Sequence, residues 1–117
     1  MQSALIIIDK APYGYENALS GIYIAIAGVD KGIPTDILLM GDGVYTALKD
    51  QSSEKTIGYP SVGNLTYSIF PDGNLFIHMD SLTRRGIAYG ELVEIAELIN
   101  DKTLYNILKS KNHIIKV

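Results

Sequence analysis

The sequence predicts an α/β protein, a three-layer sandwich built on a mainly parallel sheet of about five strands. ALIII at residues 4–8 is a continuous apolar run, and DILLM at residues 36–40 is apolar after its first residue; both are typical of strands covered on both faces. They alternate with stretches of helical character, which indicates βαβ units whose right-handed crossovers place helices on both faces of the sheet. The expected fold is therefore of the flavodoxin-like or Rossmann-like type, and we expect the 117 residues to form one domain, 1–117.

The individual elements follow from apolar runs and from the glycines, prolines and caps between them. The predicted strands are short, mostly apolar segments; they cover residues 4–8, 36–40, 75–77, 92–96 and 113–117. The predicted helices cover residues 15–31, 44–49 and 101–111. A further short helix follows the third strand; Asp80 or Ser81 caps its start, and Gly86 ends it in a left-handed conformation. Residues 50–59 are predicted to be a mobile loop. The period at residues 60–70 suits a helix or a strand equally.

Composition excludes several classes of function. The formal charge is −3 and the basic residues are scattered, which argues against direct binding of nucleic acid. The chain has no cysteine, so it forms no disulfide, no cysteine-ligated zinc site and no persulfide of its own. No basic run precedes the first apolar stretch, and the longest low-charge stretch, 17–29, is too short to span a bilayer. We therefore expect a cytoplasmic protein that does not bind membranes.

The first helix indicates an oligomer. Between Glu16 and Asp30 it carries no charge (NALSGIYIAIAGV), although a helix that covers one sheet face normally keeps a polar outer side. A partner subunit would cover that side, so we predict an oligomer interface at four residues of this helix: Ile22, Tyr23, Ile24 and Ile26. The alternative is that the last helix or the polar loop folds over it.

The candidate centre lies where the third strand ends, because ligands of open α/β sheets bind at the carboxyl ends of the strands. His78 could act there as an acid, a base or a ligand near neutral pH. Asp80 could orient it, or could simply cap the helix that follows. Arg84 and Arg85 could hold an anion, or could favour the negative end of that helix.

Carboxylates and tyrosines at the first two strand ends extend the same predicted crevice. Asp9 and Asp42 follow those strands, and with Glu16 they could bind a divalent cation, although nothing in their spacing selects a metal. Tyr13 and Gly14 lead into the first helix, whose amides could accept an anion. The chain has no GxGxxG and no phosphate-loop lysine, which argues against a nucleotide. With no metal-selecting spacing either, we expect neither a metal nor a cofactor.

Four stretches together resemble a known family. APYG at 11–14 follows the first strand, GDGVY at 41–45 the second and SLTRRGI at 81–87 the third, and the last residues are HIIKV. In this order the stretches resemble the DsrE/DsrF family of sulfur-relay proteins, most of all its DsrF/TusC branch. The resemblance implies a DsrE-like α/β domain that assembles into trimers or hexamers, often of unlike subunits. It also implies a role in passing sulfane sulfur, either to tRNA thiolation or in sulfur oxidation.

One departure from that family changes the expected function. Counting back from Arg84-Arg85-Gly86, the cysteine that carries persulfide in active members falls on His78, and histidine cannot form a persulfide. We therefore predict a non-carrier subunit that works through cysteine-bearing partners, in a homo- or hetero-oligomer, rather than an enzyme of persulfide chemistry. The alternative is a small-molecule-binding protein or small enzyme that uses His78 in a pocket with Asp9, Tyr13 and Asp42.

Overall fold

The computed structural model describes residues 3–12, 16–48 and 65–117. Its strands are all short and apolar: β1 (Ala4–Ile8), β2 (Thr35–Leu39), β3 (Leu75–His78), β4 (Ala96–Ile99) and β5 (His113–Lys116). Its α-helices lie between them: α1 (Asn17–Asp30), α2 (Met79–Arg84) and α3 (Asp101–Ser110). Three 3-10 helices complete the described elements: Gly41–Ala47, Thr66–Ile69 and Tyr89–Glu91. The predicted loop 50–59, the first part of the ambiguous stretch (60–64), and Tyr13, Gly14 and Tyr15 lie outside the described residues.

All five strands form one parallel sheet in the order β4-β3-β2-β1-β5. The apolar strands β1 and β2 lie at its interior and pair in register from Ala4 opposite Thr35 to Ile8 opposite Leu39. This agrees with their sequences, because strands buried on both faces need no polar alternation. The predicted α/β class and parallel sheet are confirmed.

Helices cover the two faces of the sheet unequally. On one face, Ile22 and Ala25 of α1 pack with Ile6, Ile37 and other buried side chains into the larger apolar cluster. On the other face, α3 is the covering helix, and its apolar residues Leu104, Ile107 and Leu108 pack on a smaller cluster around Leu5, Leu38 and Phe76. No residue of α3 is buried, whereas four residues of α1 are. The three layers are therefore the α1 layer over the larger apolar cluster, the sheet, and the α3 layer over the smaller cluster.

The outer side of α1 is partly exposed. Tyr23 is 50% exposed and Ile24 is 42% exposed, as an interface on this helix requires. Ile22, however, is fully buried in the protein's own core, and Ile26 packs against that core. The prediction of Ile22 as an interface residue is wrong, because the inward stripe of α1 runs through Ala18, Ile22 and Ala25. Within the described ranges, no helix is long and apolar enough to cross a membrane.

The fourth strand lies four residues later than predicted, at Ala96–Ile99 instead of 92–96. Leu92 and Val93 are buried, but as part of the connection before the strand: the Val93 amide donates to the Ala47 carbonyl at 2.7 Å, and Leu92 forms an isolated bridge with Leu48. Burial of a loop thus gave the apolar signal of a strand. The helix predicted at 44–49 is the 3-10 helix Gly41–Ala47, and the described part of 60–70 contains the 3-10 helix Thr66–Ile69.

Connections leave β3 and β4 toward opposite faces of the sheet. After β3, Leu82 of α2 and the following Leu92 and Val93 pack into the α1-side cluster. After β4, α3 packs on the other face. In open α/β sheets, ligands bind where neighbouring strands diverge in this way. The topology therefore directs attention to the ends of β3 and β4.

Candidate functional site

His78, the last residue of β3, is hydrogen-bonded through both nitrogens of its ring. Its Nδ1 lies 2.7 Å from the hydroxyl of Ser81, and its Nε2 lies 2.6 Å from a carboxylate oxygen of Asp101. Three elements build this arrangement: β3 ends at His78, Ser81 lies in the first turns of α2, and Asp101 begins α3 directly after β4. The carboxyl ends of two neighbouring strands thus meet at one imidazole.

The partners determine which ring nitrogen of the neutral histidine carries the proton. An ionised Asp101 only accepts hydrogen bonds, so Nε2 donates to it. Nδ1 then accepts from the Ser81 hydroxyl, whose oxygen accepts in turn from the Gly41 amide at 2.9 Å. This chain of bonds links the ends of β2, β3 and β4, and it holds the imidazole in one orientation.

The two ends of this chain differ in their exposure to water. Ser81 is buried, and the His78 side chain is only 12% exposed, whereas the Asp101 side chain is 85% exposed. The serine, histidine and aspartate have the composition of a nucleophilic triad. The hydroxyl of Ser81, however, is enclosed and held by Gly41, which makes it a positioning group. The accessible side of the site is the Nε2 side, which the solvent-exposed carboxylate of Asp101 covers.

Arg85 fixes the flank of the site. Its Nε and Nη2 donate to the same oxygen of Asp42 at 3.1 and 2.9 Å, and its Nη1 donates to the Ser81 carbonyl at 3.0 Å. The predicted residues Asp42 and Arg85 are therefore brought together, on the α2 side of His78. Arg85 follows the last residue of α2 and donates to a carbonyl of that helix, the structural role that the sequence offered as an alternative to anion binding.

Asp80 and Arg84 pair with each other at 2.9 Å, four residues apart on the exposed side of α2. The partner of His78 is Asp101 rather than Asp80. The predicted cap at Asp80 or Ser81 is wrong: α2 already begins at Met79, and His78 at its N-cap makes no side-chain cap bond. The predicted end is confirmed, since Gly86 has a φ of 66°.

Asp9 lies at another place along the strand ends. It follows β1 and pairs with Lys116 of β5 at 3.0 Å, beyond β2 as seen from His78. Tyr13 and Gly14, its predicted neighbours in the crevice, lie outside the described residues. Within residues 3–12, 16–48 and 65–117, no three acidic or histidine side chains are grouped so as to hold a metal ion.

Sequence reasoning missed Ser81 and Asp101 as partners of His78. The sequence pattern indicates Ser81 only as a helix cap and Asp101 only as the first residue of a helix. A signal for Asp101 existed: once the fourth strand is placed at Ala96–Ile99, Asp101 stands at a strand end like His78. The four-residue error in that strand concealed it.

Comparisons with known proteins agree with this architecture. The DsrE/DsrF-like family matches residues 2–117 of the chain. The protein TusC homolog of Pseudomonas aeruginosa is 27% identical over 115 residues, 97% of each chain. The intracellular sulfur oxidation protein DsrF of Allochromatium vinosum is 32% identical over 90 residues, 74% of this chain and 65% of that protein. The crystal structure of the ychN protein from E. coli superposes with a TM-score of 0.86 over the whole of both chains at 20% identity, which is a likeness of fold.

These findings confirm the family resemblance that the sequence motifs indicated. The family match covers nearly every residue, and a TusC homolog and the sulfur oxidation protein DsrF match most of the chain, which agrees with the DsrF/TusC branch. Family and relatives point to a sulfur-relay function. The chain belongs to the DsrE/DsrF-like family.

Proposed function

We propose that the protein is a cytoplasmic, non-carrier subunit of a sulfur-relay assembly, which acts by binding cysteine-bearing members of its family during sulfur transfer or oxidation. One observation carries the proposal. The chain has no cysteine, and the place that the family resemblance gives to the sulfur-carrying cysteine is occupied by His78, whose ring is held on both sides. Such a residue supplies a fixed donor and no reactive sulfur.

The surroundings of His78 support a role in building a surface. Hydrogen bonds from Gly41 through Ser81 and His78 to Asp101 tie three strand ends together. Arg85 joins the same group to Asp42. A rigid, polar strand end of this kind is suited to face another subunit's reactive group without reacting itself.

The exposed apolar side of α1 supports a partner. Tyr23 and Ile24 are adjacent, large and about half exposed. Because residues 17–29 carry no charge, these exposed side chains belong to an apolar outer side of α1 that another protein can cover. In the proposal this side of α1 contacts a family member, as a homo- or hetero-oligomer of the trimeric or hexameric kind that the family resemblance implies.

Light scattering tests the assembly. The purified chain is measured alone and mixed with a cysteine-bearing relative from the same source. We expect an assembly that the variant Tyr23→Asp abolishes, because a charge would be buried in the contact. The matched control is Tyr105→Asp on α3, a tyrosine that is 61% exposed. A chain that stays monomeric alone and with every such relative would overturn the proposal.

A second experiment tests the position of His78. The variant His78→Cys is incubated with a cysteine desulfurase and labelled cysteine, and bound sulfane sulfur is counted. We expect uptake by this variant and none by the control Met79→Cys, whose thiol would lie on the next residue and outside the strand end. Equal uptake by both folded variants, or none by either, contradicts the assignment of His78 to the carrier position.

A second candidate function rests on the exposure of Asp101. Because that carboxylate bonds Nε2 from the solvent side, a small anionic ligand can replace it on His78. The protein would then be a small-molecule-binding protein or a small enzyme. Titration with candidate anions, followed through the imidazole NMR signals, tests this idea. A response that survives His78→Ala shows that the ligand binds elsewhere.

A further inference from the structure

The exposed end of the His78 network offers a hydrogen-bond donor and no acceptor. On the enclosed side, Nδ1 accepts from the hydroxyl of the buried Ser81, so that its lone pair is occupied. On the other side, Nε2 carries the proton and donates to Asp101, whose side chain is 85% exposed. A group that takes the place of Asp101 at this nitrogen must therefore be a hydrogen-bond acceptor.

Asp101 is held at this position by a single bond. Within the described part of the chain, its side chain makes one hydrogen bond, the one to Nε2. The helix α3 does not need that side chain for its start, because Asn100 caps the helix by accepting from the Thr103 amide at 2.9 Å. Rotation of the exposed Asp101 side chain therefore frees Nε2 and leaves the helix intact.

The surroundings stay fixed when the Asp101 side chain turns away. The apolar residues of α3 pack on the smaller cluster beneath the helix, and Lys111, directly after the helix, pairs with the enclosed Asp36. His78 is held from its other side by Ser81. The site thus combines a rigid donor with an exchangeable acceptor, which is what a preorganised binding position requires.

The present occupant of the position indicates the class of ligand. One carboxylate oxygen of Asp101 lies 2.6 Å from Nε2, as in a short, charge-assisted hydrogen bond. The other oxygen makes no hydrogen bond to the described residues and belongs to a side chain that is mostly in water. A ligand needs one anionic oxygen and a small planar group to reproduce this contact, and a free carboxylate has both.

We propose that the Nε2 side of His78 binds a small carboxylate, and that Asp101 is a built-in competitor that occupies the position until the ligand displaces it. The inference rests on the second candidate function and names its ligand class and its regulation. Because Asp101 is tethered beside Nε2, its carboxylate acts at a high effective concentration. The apparent affinity for a free carboxylate is reduced to the extent that Nε2 is already occupied.

Titration with sodium acetate tests the competition, followed through the backbone amide NMR signals of His78 and its neighbours. We expect Asp101→Ala to lower the half-saturating acetate concentration at least tenfold, because the competitor is gone. Asp101→Asn keeps a neutral, weaker acceptor and should lie between this variant and the unmodified protein. The matched control is Asp80→Ala, which removes an equal charge from an exposed carboxylate of α2 and should stay within twofold of the unmodified protein.

The outcomes separate this inference from the function on which it rests. Unchanged affinity in Asp101→Ala would exclude competition, and equal gains in Asp101→Ala and Asp80→Ala would mean an effect of charge alone. Either result overturns the inference and leaves the second candidate function standing, as does an equal response to sodium chloride at the same concentration. No response of the His78 signals to acetate in the unmodified protein and the folded variants would overturn both. Light scattering tests the subunit proposal separately.

Discussion

The two ends of the sheet carry polar networks of opposite design. At the amino end, Asp36 of β2 accepts from the backbone amide and the side-chain amide of Asn74 at 2.8 and 3.1 Å and pairs with Lys111. At the carboxyl end, His78 is bonded to Ser81 and Asp101. Both networks join distant parts of the chain across the strand ends.

The two networks differ in their exposure to water. The side chains of Asp36 and Lys111 are 9% and 13% exposed, so that the charges are enclosed together. In the other network Asp101 is 85% exposed. An enclosed ion pair is sensitive to the loss of either partner, since the other charge is left in a dry place. An exposed partner is replaced by water or by a ligand at little cost. The amino end is therefore built for stability, and the carboxyl end leaves one position open.

The largest expected effect comes from breaking the enclosed pair. Lys111→Ala leaves the Asp36 carboxylate without its cation, and we expect a loss of about 3 kcal/mol in the free energy of unfolding. Urea denaturation measures it. The control is Lys116→Ala, which removes a 62% exposed lysine from its pair with Asp9 and should cost less than about 1 kcal/mol. Equal losses for the two variants would mean that the enclosed pair has no special weight.

A middle effect is expected at the buried side of the histidine network. Ser81→Ala removes the acceptor of the Gly41 amide and the donor to His78 at once, and we expect a loss of about 2 kcal/mol. The matched control is Ser110→Ala, whose hydroxyl bonds the Ile107 carbonyl at the exposed end of α3 and should count for less than about 0.5 kcal/mol. If Ser81→Ala were as mild as its control, the rigidity of the site would be refuted.

The smallest effect on stability is expected at the open position. Asp101→Asn keeps an oxygen that accepts from Nε2, so unfolding should change by less than about 0.5 kcal/mol. The ¹⁵N signal of His78 Nε2 should nevertheless shift, because a neutral amide replaces a carboxylate, while Asp80→Asn should leave it unchanged. A loss of stability as large as that of Ser81→Ala would show that both sides of the network are structural.

Prediction from sequence succeeded where local pattern and burial agree. The apolar runs of β1 and β2 identified interior parallel strands, and the glycine after α2 ended that helix as expected. Prediction failed where a buried segment is not a strand: Leu92 and Val93 are buried in a connection, and the fourth strand begins only at Ala96. Apolar residues in a short run show that a segment is covered, but not that it is extended.

For the candidate site, sequence reasoning selected one residue of the hydrogen-bonded group and a bonded pair beside it. His78 was recognised from its place at a strand end, and Asp42 and Arg85 were named, although their mutual bond was not. The contact of Asp101 with His78 could not be predicted even with the fourth strand placed correctly, because the two residues lie 23 positions apart and meet only through the pairing of β3 with β4. Pairing of strands is a non-local event that no window of sequence contains.

By itself, the sequence determined the α/β class, the parallel sheet and the absence of any thiol, because these depend on residue type and on short-range period. Only the tertiary structure decided which polar groups meet: Ser81 and Asp101 at His78, and Lys111 at Asp36. The physical reason is that hydrogen bonds and ion pairs act over a few ångströms, and the order of strands in the sheet, not the order of residues in the chain, brings such groups within that distance.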